Sequence, residues 1–101
     1  MITVQGINSI ASTIVGLFAQ GAYIKDGQQV IVPIFRKEFI EEEATLKIYL
    51  YLTDEDVGTF TGFQILNAEG DVMLDKPDNI TKPVSKGLLV AFKISIKEVD
   101  E

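Results

Sequence analysis

Thr45-Leu46-Lys47-Ile48-Tyr49-Leu50-Tyr51-Leu52 alternates throughout its length. Leu46, Ile48, Leu50 and Leu52 fall on one side of an extended chain, and Thr45, Lys47, Tyr49 and Tyr51 on the other. Such a stretch is a strand with one face in a core and one toward a surface. Working outward, the same kind of segment recurs at short intervals. Downstream, an acidic turn from Thr53 to Gly58 leads into a strand from Thr59 to Leu66. Asn67-Ala68-Glu69-Gly70 then turns the chain into Asp71 to Leu74, a second hairpin. Asp75 to Lys86 holds Pro77 and Pro83 and reads as an extended connection with room for a short strand near Ile80. The final run, Gly87 to Val99, sets Leu88, Val90, Phe92, Ile94 and Ile96 against Leu89, Ala91, Lys93, Ser95 and Lys97, and its length suits a central strand.

Upstream, Lys37 to Ala44 is a polar connection with Glu38, Glu41, Glu42 and Glu43 and space for a helical turn. Before it, Ala22 to Lys25 and Gln29 to Arg36 flank Lys25-Asp26-Gly27-Gln28, where Asp-Gly between apolar runs marks a tight hairpin. In the second run Val30, Val32 and Ile34 lie on one face and Ile31, Pro33 and Phe35 on the other, so both faces are expected to be partly covered. Pro33 points to an edge position or a bulge.

The segment before these strands differs in kind. The first charged side chain is Lys25, although 24% of the chain is charged. At 100° per residue, Ile7, Ile10, Ala11, Ile14, Val15, Leu17 and Phe18 gather on one arc of roughly 160°. The helix is expected to start near Gln5 or Gly6, with Asn8 a weaker cap, and to end at Gly21. Its other face holds Ser9, Ser12, Thr13, Gly16 and Gln20, small or uncharged where a solvated helix normally carries Lys, Glu and Arg. A helix neutral all round calls for cover beyond one sheet. Docking on the chain's own sheet and a seam shared between copies both satisfy the 3-4-3 spacing of Ile7, Ile10, Ile14 and Leu17.

The fold class that follows is α+β, mainly β: one N-terminal helix and a small antiparallel β-sandwich or curled barrel of about six to seven strands. The 101 residues make a single domain, 1–101, with a helix over 1–21 and a β-domain over 22–99. The uncharged start is interrupted by Gln5, Asn8, Ser9, Ser12, Thr13 and Gln20 and lacks a basic leader, so it reads as part of the fold and not as a targeting or membrane segment.

Composition narrows the chemistry. There is no cysteine and no histidine, which removes thiolate nucleophiles, thiolate metal sites and the commonest general base and metal ligand. A net charge of −6 disfavours nucleic acid and anionic lipid as partners. Glu41 to Glu43 with Asp54, Glu55 and Asp56 offer oxygen ligands, as do Asp71, Asp75, Asp78 and Asn79, but none follows a calcium-loop spacing. Ser85 beside Lys86 is a poor nucleophile and base, since neighbouring strand residues point to opposite faces. The glycines form no phosphate-binding pattern. The reading is a non-enzyme with no catalytic, cofactor or metal residues.

The order of features carries a resemblance. The neutral helix Ile7 to Gln20, the strand and turn Tyr23-Ile24-Lys25-Asp26-Gly27, and the alternating Leu46 to Leu52 come first. The hairpin Ile65-Leu66-Asn67-Ala68-Glu69-Gly70-Asp71-Val72 and the closing Phe92-Lys93-Ile94-Ser95-Ile96-Lys97-Glu98-Val99 follow. In this order the chain resembles small structural proteins from the tail modules of phages and prophages of Gram-positive bacteria. The likeness is one of pattern over most of the chain, with no signature motif and no site residues to transfer. It implies a non-catalytic virion component of a tail, baseplate or fibre, in a threefold or sixfold setting.

The expected function is therefore that of a virion assembly protein, made in the host cytoplasm. It would associate as a homo-oligomer, a trimer favoured, and with other virion proteins, through Ile7, Ile10, Ile14, Leu17 and Phe18. The alternative is a carbohydrate- or protein-binding module for host-surface recognition, with a cytoplasmic location also open. It would use Tyr49, Tyr51, Asp54 and Asp56, since aromatic rings can stack on sugar faces.

Overall fold

A computed structural model describes residues 3–83 and 86–96. It contains one helix, α1 (Val4–Leu17), and seven strands: β1 (Gln20–Lys25), β2 (Gln28–Val32), β3 (Arg36–Ile40), β4 (Thr45–Leu52), β5 (Gly58–Leu66), β6 (Val72–Lys82) and β7 (Leu88–Ser95). The strands form two antiparallel sheets, a four-stranded one ordered β2-β1-β5-β6 and a three-stranded one ordered β3-β4-β7. This is the mainly β, α+β sandwich expected, with open sheets and not a closed barrel.

The alternation in β4 decides the layering. Leu46, Ile48, Leu50 and Leu52 are all fully buried and meet Phe60, Phe63 and Ile65 of the opposite sheet in one core. Phe60 and Phe63 are an odd number of residues apart, so an unbroken strand would send them to opposite faces. Opposite β1, β5 carries an extra residue between Phe60 and Gly62, which pair with the adjacent Lys25 and Ile24, and this bulge brings both rings inward, 6.1 Å apart. Tyr23 packs edge-on to Phe60 at 4.8 Å.

Several boundaries differ from expectation for physical reasons. The helix begins earlier because Thr3, not Asn8, is the cap: its side chain accepts from the Gly6 N–H at 2.9 Å. It ends at Leu17, before Gly21. Gly21 lies within β1, and a Cβ there would overlap the side chain of Leu50, so close approach of the two sheets and not a left-handed helix end demands glycine. The β-domain accordingly starts at Gln20.

Asp26 and Gly27 both adopt positive φ, 53° and 75°, giving the tight hairpin between β1 and β2. Pro33 ends β2, an edge strand, and the chain crosses to the other sheet as β3, a strand where the sequence suggested only a connection. Val30, Val32 and Ile34 are partly buried, whereas Ile31, Pro33 and Phe35 are exposed, so only one face of that run is covered. The helical turn after β3 is present as a 3-10 turn, Glu41–Glu43.

Pro77 does not interrupt β6, because β6 is an edge strand whose missing N–H is tolerated at the irregularity opposite Gly62. The closing strand β7 is an edge strand and not a central one; β4 occupies the centre. The expected continuation to Val99 lies outside the described residues.

Candidate functional site

The helix lies along β3. Its Ala11, buried, and Val15 share a groove with Lys37 and Phe39, while Val4 shares another with Ile40 and Glu41. The helix thus runs in the opposite direction to β3. Ala11 is the buried residue of α1, a distinction that the apolar arc alone did not single out. At the helix end Lys37 Nζ donates to the Phe18 carbonyl at 2.6 Å and to the Val15 carbonyl at 3.1 Å. The Val15 carbonyl also accepts from the Phe18 N–H at 3.3 Å, so Lys37 adds a second donor at the helix end, where a cation opposes the negative end of the dipole.

The residues singled out for self-association divide. Phe18 is buried in the chain's own core, and Ile14, with Val15, packs against its margin. Ile7 is partly buried. Ile10 and Leu17 stay 41% and 49% exposed on one rim of the apolar arc. The intramolecular sheet therefore covers one flank of the helix and leaves the other open.

The second group also divides. Tyr49 and Tyr51 lie on the outer face of the three-stranded sheet, paired in register with Ala91 and Leu89. The Tyr51 ring sits 5.5 Å from Phe35 and against Gly87, whose lack of a side chain gives it room. Phe35 (61% exposed), Tyr51 (44%) and Leu89 (54%) form an apolar group that neither Phe35 nor Leu89 had suggested from sequence, because alternation alone does not tell which strands will be neighbours. Asp56 has a different role. One carboxylate oxygen accepts from the Tyr23 hydroxyl at 3.1 Å, and the other accepts from the backbone N–H and hydroxyl of Thr53. Burial, and then the Asp56 carboxylate, raise the Tyr23 phenol above its ordinary range. Asp56 thus ties its turn to the core, and Asp54 stays exposed.

The chain matches no family model, no curated protein and no solved structure.

Other groups answer to structural roles. Asn67 Oδ1 accepts from the N–H groups of Glu69 and Asp71, shaping the turn between β5 and β6. Lys76 Nζ donates to the Ala91 carbonyl at 3.0 Å and stands over the Phe92 ring, bridging the edges of the two sheets at β6 and β7. Among the described residues no group of three carboxylates is arranged to hold a metal ion, and no helix is long and apolar enough to cross a membrane. Ser85 lies outside the described residues.

Proposed function

We propose that the protein is a non-catalytic assembly subunit that associates with copies of itself through the open rim of α1, a homotrimer favoured. The observation that carries this reading is the exposure of Ile10 and Leu17 on a helix that bears no charge. Covering what remains exposed of each contributes roughly 1 kcal/mol, about half the value of full burial, and symmetry repeats that gain in every copy. Lys37 supports the reading because its bonds to the Val15 and Phe18 carbonyls tie the end of the helix to β3 while Ile10 and Leu17 stay exposed. A place in a phage tail, baseplate or fibre, in contact with other virion proteins, is supported by the order of sequence features alone. The test is the double variant Ile10→Asp/Leu17→Asp. Both positions face outward, so the fold should persist while the assembly held by the helix contact falls to a species of smaller mass; an unchanged mass would end the proposal.

A second reading, a module that binds a host-surface glycan or protein, is favoured by the exposed pair Phe35 and Tyr51. It requires that Tyr51→Ala weaken binding to immobilised cell-wall glycan or surface protein without altering thermal unfolding.

A further inference from the structure

The outer face of the three-stranded sheet is unusual for this chain. It carries the apolar group Phe35, Tyr51 and Leu89, and beside it Arg36, Lys47 and Lys93, which register places in adjoining rows of the same face. Only Glu38, paired with Arg36 at 2.8 Å, adds a negative charge among these rows. An acidic protein of net charge −6 thus presents one apolar face with a basic border.

The complement of that face occurs on the same molecule. Between the start of α1 and the end of β3 is an open groove of about 740 Å³ with an apolar lining of Val4, Phe39 and Ile40. Its rim carries Glu41 and Glu42, with Glu38, already paired with Arg36, at the boundary between groove and face. Val4 is 61% exposed within it. The apolar group and the groove cannot meet within one chain. Phe35 precedes β3 and Glu41 follows it, and six residues of extended backbone span roughly 20 Å.

We infer that the basic-bordered face of one copy docks into the acid-rimmed groove of another, a head-to-tail contact running along β3. This deepens the assembly reading and rests on it, adding a second self-contact to the one at the helix rim. Apolar side chains would leave water at the centre while opposite charges meet at the border, which sets orientation and prevents face-to-face pairing of like charges. Because the two patches differ, the contact is heterologous and closes into a ring or continues as a filament.

The experiment uses two full-length variants in an Ile10→Asp/Leu17→Asp background, which removes the helix contact. One carries Phe35→Ser/Leu89→Ser and has only the groove; the other carries Glu41→Lys/Glu42→Lys and has only the face. Sedimentation velocity over a concentration series, with circular dichroism to confirm folding, follows each alone and both mixed. The inference expects the background protein to form open or ring-like oligomers that weaken in high salt. Each variant alone should be monomeric, and the mixture should give a 1:1 complex that grows no further. Folded variants that fail to combine, or a background protein that is monomeric at every concentration, would overturn the head-to-tail contact and leave the face to a foreign ligand. A failure of the helix contact instead shows as no difference in mass between the unaltered protein and the Ile10→Asp/Leu17→Asp background.

Discussion

Lys37, on β3, donates its ammonium to the carbonyl of Phe18, the residue that caps α1, 2.6 Å away. One side chain from a strand thus terminates a helix nineteen residues earlier in the chain and also holds that helix in place. Replacing Lys37 with Met keeps the stem and removes the donor. The expected loss is about 1 kcal/mol, the size of a favourable charge at a helix end. Hydrogen exchange should then show faster opening of the amides of α1 than of β4 or β5. Equal protection of α1 in the variant and the parent would show that the contact contributes nothing to docking.

At Gly21 the four-stranded sheet packs directly on Leu50 of the three-stranded sheet. Gly21→Ala should destabilise the fold by about 1 to 3 kcal/mol, the range for overpacking a core. If contact with Leu50 is the cause, Leu50→Ala, itself destabilising, should cost less in the Gly21→Ala background than alone. Additive losses in urea unfolding would place the penalty elsewhere.

Tyr23 and Asp56 give the fold an alkaline limit. The folded state favours the neutral phenol, so its folded pKa lies above the unfolded value of about 10. As pH rises the unfolded chain loses this proton first. The stabilising contribution is complete below about pH 10 and is lost as pH passes through the folded value. Tyr23→Phe should therefore reduce the fall in stability between pH 9 and 11, while losing about 1 kcal/mol at neutral pH for the missing hydrogen bond. A parent and variant with parallel pH profiles would contradict the assignment.

Gly27 has positive φ, 75°, in the hairpin between β1 and β2. Gly27→Ala is expected to lower stability by roughly 1 kcal/mol, because a Cβ is disfavoured in that backbone conformation. An open surround makes a steric cause other than the backbone itself unavailable. Thermal unfolding of the variant checks the sign.

The parts of the fold readable from sequence were those governed by local rules. The alternation of Leu46 to Leu52 is intrinsic to an extended chain with one buried face, and Asp26-Gly27 meets a backbone demand at its own position. What escaped depends on distant residues. Gly21 looked like a helix end because its partner Leu50 lies in another sheet, and Pro77 looked like a break because an edge position had no local mark. The exposed apolar surfaces follow the same division. The neutral helix announced an uncovered face, but which flank its own sheet would take depended on Lys37 and Ala11. Phe35 and Leu89 join Tyr51 only through the order of β3, β4 and β7.

Assembly through the open rim of α1 is tested most directly by solution mass, from light scattering coupled to size exclusion, for the unaltered protein and for Ile10→Asp/Leu17→Asp. The expected result is a stable multiple of the 11.2 kDa chain, a trimer favoured, reduced to a smaller species by the double variant with the fold retained. A clean 11.2 kDa monomer for the unaltered protein would contradict it.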